Sequence, residues 1–284
     1  MYELKTLSQT VKCKKISNEE ANQILNNINC LGQHMHTYFF YQIVKRNLKE
    51  MLAFIENCQK TLAISDTLEC NRFLYNFIDS FYAYINFFES NYKETFQEIK
   101  KGFFDNRFEY AFIYKLRNYM IHEDLPIFKQ EREVGIGYLN KKFIISKNKL
   151  LSSKRMTSNI KSRISIKFID KDDIDIMPIL KEFSKILIDI QKETLDKLFQ
   201  TLTDSFCFLM KYIKKEEETY LYKDGEIING LLNVTTKYYK SMAEDFVYDE
   251  RLLQDSTINN IFMKFSYLYY GKENVIYKPK IKFL

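Results

Sequence analysis

The chain has 284 residues, 46% of them hydrophobic and 28% charged, which excludes wholesale disorder. Only seven glycines and three prolines occur, against about 12% of residues in an average protein, so the turns of a β-sandwich and the glycine-rich loops of a doubly wound α/β fold are hard to supply. Phe and Tyr make up 16% of the chain with no Trp, and the formal net charge is +6. That charge is compatible with a nucleic-acid partner and does not require one. The expected fold class is predominantly all-α, with long helices and few connections.

Residues 1–15 are polar, with no apolar run of the secretory type. No stretch approaches the roughly 18 apolar residues that cross a bilayer. The expectation is a cytoplasmic protein with no membrane association. The five cysteines, Cys13, Cys30, Cys58, Cys70 and Cys207, are odd in number and lack C-x-x-C spacing, so free, mostly buried thiols are expected.

In chain order, Ser17 with Glu20 reads as a capping box opening a first helix that ends near Gly32. From Gln33, the residues Met35, Tyr38, Phe39, Ile43, Leu48, Met51, Leu52 and Ile55 keep helical spacing to about Gln59. Asp66 with Glu69 opens a third helix carrying Leu74, Phe77, Ile78, Phe81 and Ile85. It runs to about Phe96, with Gly102 as an interruption. Asp105 is the expected N-cap of the next helix, whose apolar face is Phe108, Phe112, Leu116, Tyr119 and Met120. Pro126 excludes further helix and biases Leu125 away from it.

Residues 134–169 contain no acidic residue and nine basic ones, among them Lys141, Lys142, Lys147, Lys149, Lys154, Arg155, Lys161 and Arg163. Alternation of Ile164, Ile166 and Phe168 predicts a half-buried strand over 163–169, with a weaker strand at 142–146 and a loop at 152–155. Asp170, Asp172, Asp173 and Asp175 follow. Pro178 then suits the first position of a long helix running toward Lys214. Asp224-Gly225 marks a turn, and helices are expected over 227–246 and 258–270. The division this implies is 1–130 helical, 131–176 basic and extended, and 177–284 helical.

The segment with chemical content is 108–126, FEYAFIYKLRNYMIHEDLP. It closes a helix with Arg117, then Asn118, then His122 four residues after Asn118. Imidazole titrates near neutrality and can act as acid or base; guanidinium is a permanently charged fork for phosphate. Asn118 and His122 share a helix face, while Arg117 and His122 diverge by about 140°. A two-fold axis supplying a second copy of the helix would improve that geometry. Glu123 and Asp124 are candidates to hold the imidazole protonated.

This arrangement resembles the R-x4–6-H motif of HEPN (higher eukaryotes and prokaryotes nucleotide-binding) domains, over roughly residues 17–130. The resemblance implies an antiparallel bundle of four or five helices, here with a small basic β or extended insertion and a helical C-terminal region. It also implies a metal-independent endoribonuclease working in phage defence, abortive infection or a toxin–antitoxin system. The site would be composite at a homodimer interface and would leave 2′,3′-cyclic phosphate ends. Arg117 would stabilise the scissile phosphate, His122 would be the general acid/base, and Asn118 would orient the histidine or bind phosphate. An antitoxin or defence partner protein is a further expectation. The alternative is a non-catalytic RNA- or nucleotide-binding or dimerisation module.

The basic residues Lys141, Lys142, Lys147, Lys149, Lys154, Arg155, Lys161 and Arg163 are the RNA-binding candidates, with a plain charged hairpin as the competing reading. Cys30, His34 and His36 lack a second ligand pair at zinc spacing, and the acidic run 170–175 suits a helix N-terminus better than Mg²⁺. No metal or other cofactor is expected. Walker, dinucleotide and nucleophile-elbow motifs are absent.

Overall fold

A computed structural model of the chain describes residues 2–7, 12–59, 67–135, 138–212, 218–224 and 226–230. The protein is predominantly helical, as its composition predicts. Its elements in order are β1 (Tyr2–Leu7), β2 (Lys12–Ile16), α1 (Asn18–Gln59), α2 (Thr67–Asn91), α3 (Lys93–Asn106), α4 (Phe108–His122), β3 (Ile127–Gly135), β4 (Tyr138–Ser146), α5 (Lys147–Ser152), α6 (Ser158–Lys167), β5 (Asp173–Asp175), α7 (Ile176–Met210), β6 (Glu218–Lys223) and β7 (Glu226–Gly230). Among the described residues, no helix is long and apolar enough to cross a membrane.

The chain divides into two compact units, Thr37–Gln191 and the combination of Met1–His36 with Lys192–Leu284. The second unit carries an antiparallel sheet in the order β2-β1-β6-β7. Asp224, at φ 51°, sits in the turn between β6 and β7; its short polar side chain tolerates the left-handed region. Ala21, Ile24, Ile28 and Leu31 of α1 and Leu195, Leu198 and Leu202 of α7 are buried in this unit. So is His34, whose imidazole is pushed down to about 4 by burial.

The Thr37–Gln191 unit is a helical layer with a small antiparallel sheet, β3-β4-β5. Its core is aromatic. Phe81 of α2 meets Tyr110 of α4 edge-on at 5.6 Å and Phe183 of α7 edge-on at 4.9 Å, the arrangement that opposed ring quadrupoles favour. Contacts of α2 with the α4 segment run in opposite numerical order, from Asn71–Ile127 just past the end of α4, through Asp79–Arg117, to Phe81–Tyr110. The two helices are therefore antiparallel.

Several boundaries differ from those read in the sequence. The capping box at Ser17 holds in half: Ser17 Oγ accepts from Glu20 N–H at 3.0 Å, while the Glu20 carboxylate pairs with Lys14. Neither Gly32 nor Gly102 breaks a helix. A methyl group at either would meet nothing within 4 Å, and one mid-helix glycine costs only about 1 kcal/mol. The break falls at Tyr92 instead, after Asn91 turns its amide onto Phe87 O at 2.8 Å, a local bond that competes with the helix ladder. Arg107, not Asp105, caps α4, and the same extended residue also ends α3.

The strand expected over 163–169 is the helix α6. Ile160 and Ile164, four residues apart, are buried, while Ile166 is 72% exposed, so the 3.6 period prevails over the alternation. The strand at 142–146 is the end of β4. Helix α7 opens two residues before Pro178, with Asp175 Oδ1 accepting from Met177 N–H at 3.1 Å. Residues 226–230 are a strand and not the start of a helix. The remainder of that expected helix, the one at 258–270 and the cap at Asp66 lie outside the described residues.

Candidate functional site

Helix α4 brings Arg117, Asn118 and His122 to its C-terminal end. The helix is pinned along one side by buried Tyr110, Phe112, Ile113, Leu116 and Tyr119. This leaves Arg117 and Asn118 half-buried and His122 exposed in the last turn. The Arg117 guanidinium lies 3.9 Å from the centre of the Tyr82 ring of α2. Its Nη2 donates to Asp79 Oδ1 at a long 3.4 Å, and its buried Nε has no hydrogen-bond acceptor. Arg117 is thus held mainly by its close approach to the Tyr82 ring, a contact that guanidinium makes more readily than ammonium.

Glu123 and Asp124 direct their hydrogen bonds to the 149–155 segment. Glu123 Oε1 accepts from Ser153 Oγ at 2.9 Å and from Arg155 N–H at 3.3 Å. Asp124 Oδ2 accepts from Lys149 Nζ at 2.6 Å, a bond that holds its carboxyl below the usual carboxylate range. These contacts fasten the 149–155 segment to the end of α4, immediately beyond His122. Asn71 of α2 fixes the same region from below. Its side chain accepts from Ile127 N–H at 3.1 Å and donates to Ile127 O at 2.8 Å. Ile121, Leu125 and Phe128, which flank this helix end, are each 40–45% exposed.

The basic candidates separate into three groups. Lys141 is completely enclosed and cannot present its charge to an outside ligand, which corrects the expectation for that residue. Lys147 Nζ donates to Phe168 O at 2.7 Å and Lys171 O at 3.0 Å. Arg163 Nη1 donates to Phe104 O at 2.8 Å, and Lys149 is bound to Asp124. These three charges close off backbone carbonyls or tie loops. Lys142 and Lys161 are half-buried, and Lys154 and Arg155 are exposed. The outward charge of the segment is therefore concentrated at 154–155, beside the helix end that carries His122.

A cavity of about 530 Å³ lies elsewhere, lined by Glu109, Lys167, Phe168, Lys171, Asp175 and Glu182 among others. Glu109 is nearly buried and ion-paired with Lys167, and desolvation pushes the Asp175 carboxyl up. The cavity sits at the N-terminal end of α4, roughly 20 Å from His122 by helix rise. It is not part of the same site. Among the described residues, no three His, Cys, Asp or Glu side chains are placed to hold a metal ion.

Asp79 and Tyr82 are the contributors that sequence reasoning did not find. They lie 35 or more residues before Arg117, on the polar side of an amphipathic helix, and no spacing rule links them to it. No family model, curated protein or solved structure matches the chain.

Proposed function

We propose that the protein is a metal-independent endoribonuclease of HEPN type, with Arg117 and His122 acting at a site completed by a second copy of the chain. The supporting observation is the placement of an accessible His122 about one and a half turns beyond an Arg117 that lies over Tyr82 and keeps a quarter of its side chain exposed. Attack of a ribose 2′-OH on its own phosphate needs a proton acceptor, a proton donor for the departing 5′-oxygen and a cation for the phosphorane oxygens. Imidazole supplies the first two in turn and guanidinium the third. The divergence of Arg117 and His122 on one helix is bridged if each active centre takes one of them from each copy. Ile121, Leu125 and Phe128 give that contact an apolar rim to bury.

The test is incubation of RNA with wild type, Arg117→Ala and His122→Ala, each with EDTA. Wild type should leave 2′,3′-cyclic phosphate ends, and each variant should lose about 10²- to 10⁴-fold in rate. Activity abolished by EDTA, or equal in all three proteins, refutes the mechanism. The role would be phage defence or a toxin–antitoxin pair, and toxicity on expression that His122→Ala relieves is the matching cellular readout. A second reading is favoured by the Asp79 and Tyr82 contacts, which occupy Arg117 as a structural residue would. It is a non-catalytic RNA-binding or dimerisation module, with salt-sensitive RNA binding that His122→Ala leaves unchanged.

A further inference from the structure

The basic segment 134–169 spends most of its charge internally, so an RNA partner needs another surface. One exists on the joined face of α2, α3 and α4, upstream of Arg117. Tyr82 and Tyr114 are half-buried and stand with ring centres 5.7 Å apart. Burial first, and the neighbouring Tyr114 hydroxyl second, push the Tyr82 phenol up, so it stays neutral. Three cations surround the pair. Lys100 Nζ lies 5.2 Å from the Tyr114 ring centre, Lys115 Nζ 5.5 Å from the same centre and 5.8 Å from that of Phe104, and Arg117 covers Tyr82. Among the described residues no carboxylate pairs with Lys115, whereas Glu89 reaches Lys100 at a long 3.5 Å. On α4, Lys115, Asn118 and His122 follow one another at i, i+3 and i+7, which is one helix face.

We infer that this face is a binding track for single-stranded RNA leading to Arg117 and His122. The inference rests on RNA being the ligand, and it names the form of RNA. Aromatic rings with adjacent cations accept the face of any unpaired base, while the cations follow the backbone phosphates. Lysine heads more than 5 Å from the centres of half-buried rings are only modestly bound. An entering base takes the ring face and the displaced ammonium moves to that base's phosphate, so the positive charge is kept in play. A duplex offers no free base faces to rings set on helices and gains only the charge.

The experiment uses the full chain with His122→Ala as the background, so that the probe survives. The probe is an oligoribonucleotide of about a dozen residues carrying one 2-aminopurine, whose emission reports stacking; the absence of Trp leaves that signal unobscured. Single-stranded probe should bind with a change in emission, and the same sequence as a duplex should bind about tenfold more weakly. Adding Tyr114→Leu should remove the emission change. Adding Lys115→Glu, at a half-buried position, should weaken binding about tenfold with the thermal unfolding midpoint of the background kept, and Lys115→Arg should restore it.

Equal affinity for duplex and single strand overturns the track. So does unchanged binding in both variants, or a change of oligomeric state by Tyr114→Leu with RNA affinity intact. Tyr114→Leu and Lys115→Glu made separately with His122 intact, if both cleave RNA at the full wild-type rate, overturn the track and leave the ribonuclease reading standing. Binding that behaves as described in a protein that cleaves nothing supports the track and removes the ribonuclease.

Discussion

Asn71 is the residue whose loss should be felt most sharply for its size. It is 2% exposed, as is Ile127, and its amide satisfies both backbone groups of Ile127 and also Thr67 O at 3.0 Å. In Asn71→Ala the Ile127 N–H and C=O lose their partners inside the protein. An unsatisfied buried polar group costs about 1–3 kcal/mol, so about 3 kcal/mol is expected for the pair. For a protein of this size that is a fall in Tm of about 6–12 °C. Thermal unfolding followed by circular dichroism, with urea titration as a second measure, reads it directly. Asn71→Asp adds a signature that packing alone cannot mimic. The new carboxylate, when ionised, faces two carbonyl oxygens, so the loss at pH 7 should exceed that of Asn71→Ala. It should shrink as the pH falls and the acid regains a donor. Stability of Asn71→Ala within about 0.5 kcal/mol of wild type, or no pH dependence in Asn71→Asp, would refute the clamp.

Three further outcomes are expected. His34 is held neutral in the folded protein, with its imidazole near 4 against an unfolded value near 6.5. Its unfolded form therefore binds a proton first, and stability should fall as the pH drops from about 6.5 to 4, by up to about 3 kcal/mol; His34→Gln should flatten that part of the pH–stability curve. Ser153→Ala removes the donor to Glu123 and an acceptor for Arg155 N–H. It should cost about 1–2 kcal/mol and speed tryptic cleavage after Lys154 and Arg155, whereas an unchanged digestion rate would show that the segment is held by other contacts. Asp79→Asn removes a long, half-exposed ion pair. It should change stability by less than about 0.5 kcal/mol while raising RNA affinity, since the guanidinium then has no competing anion; a loss of affinity would mean that Asp79 positions Arg117 productively.

The helices were legible where one strong apolar stripe ran without competition. Leu74, Phe77, Ile78, Phe81 and Ile85 of α2 are buried as their spacing requires, and so are Ile179, Leu180, Phe183, Ile186, Leu187 and Ile190 of α7. Misreadings arose where two periods fit the same residues. Ile164, Ile166 and Phe168 alternate, yet Ile160 and Ile164 also make a helical pair, and burial of that pair decided the outcome. Gly32 and Gly102 carry propensity penalties too small to outweigh tertiary packing. At the site, the residues of α4 were readable as a motif. Their partners were not, because Tyr82 and Asp79 of α2 and Ser153 beyond β4 reach α4 only through the fold. The charge of 134–169 misled for a related reason: a lysine that caps carbonyls, like Lys147, has the same letter as one that meets solvent.

The single extended residue between α3 and α4 has a genetic consequence. Arg107 ends one helix and begins the next, and its side chain pairs with Asp189 at 3.1 Å, so the corner holds no spare chain. A codon inserted there that α4 absorbed would turn each of its side chains by about 100°. Arg117 would leave the Tyr82 ring, and aromatic core residues would face water. Point substitutions around Arg107 change one contact each, whereas an in-frame insertion or deletion at that corner changes every contact of the motif helix together. The aim of Arg117 and His122 is therefore set by the number of residues between two helices as much as by the residues themselves.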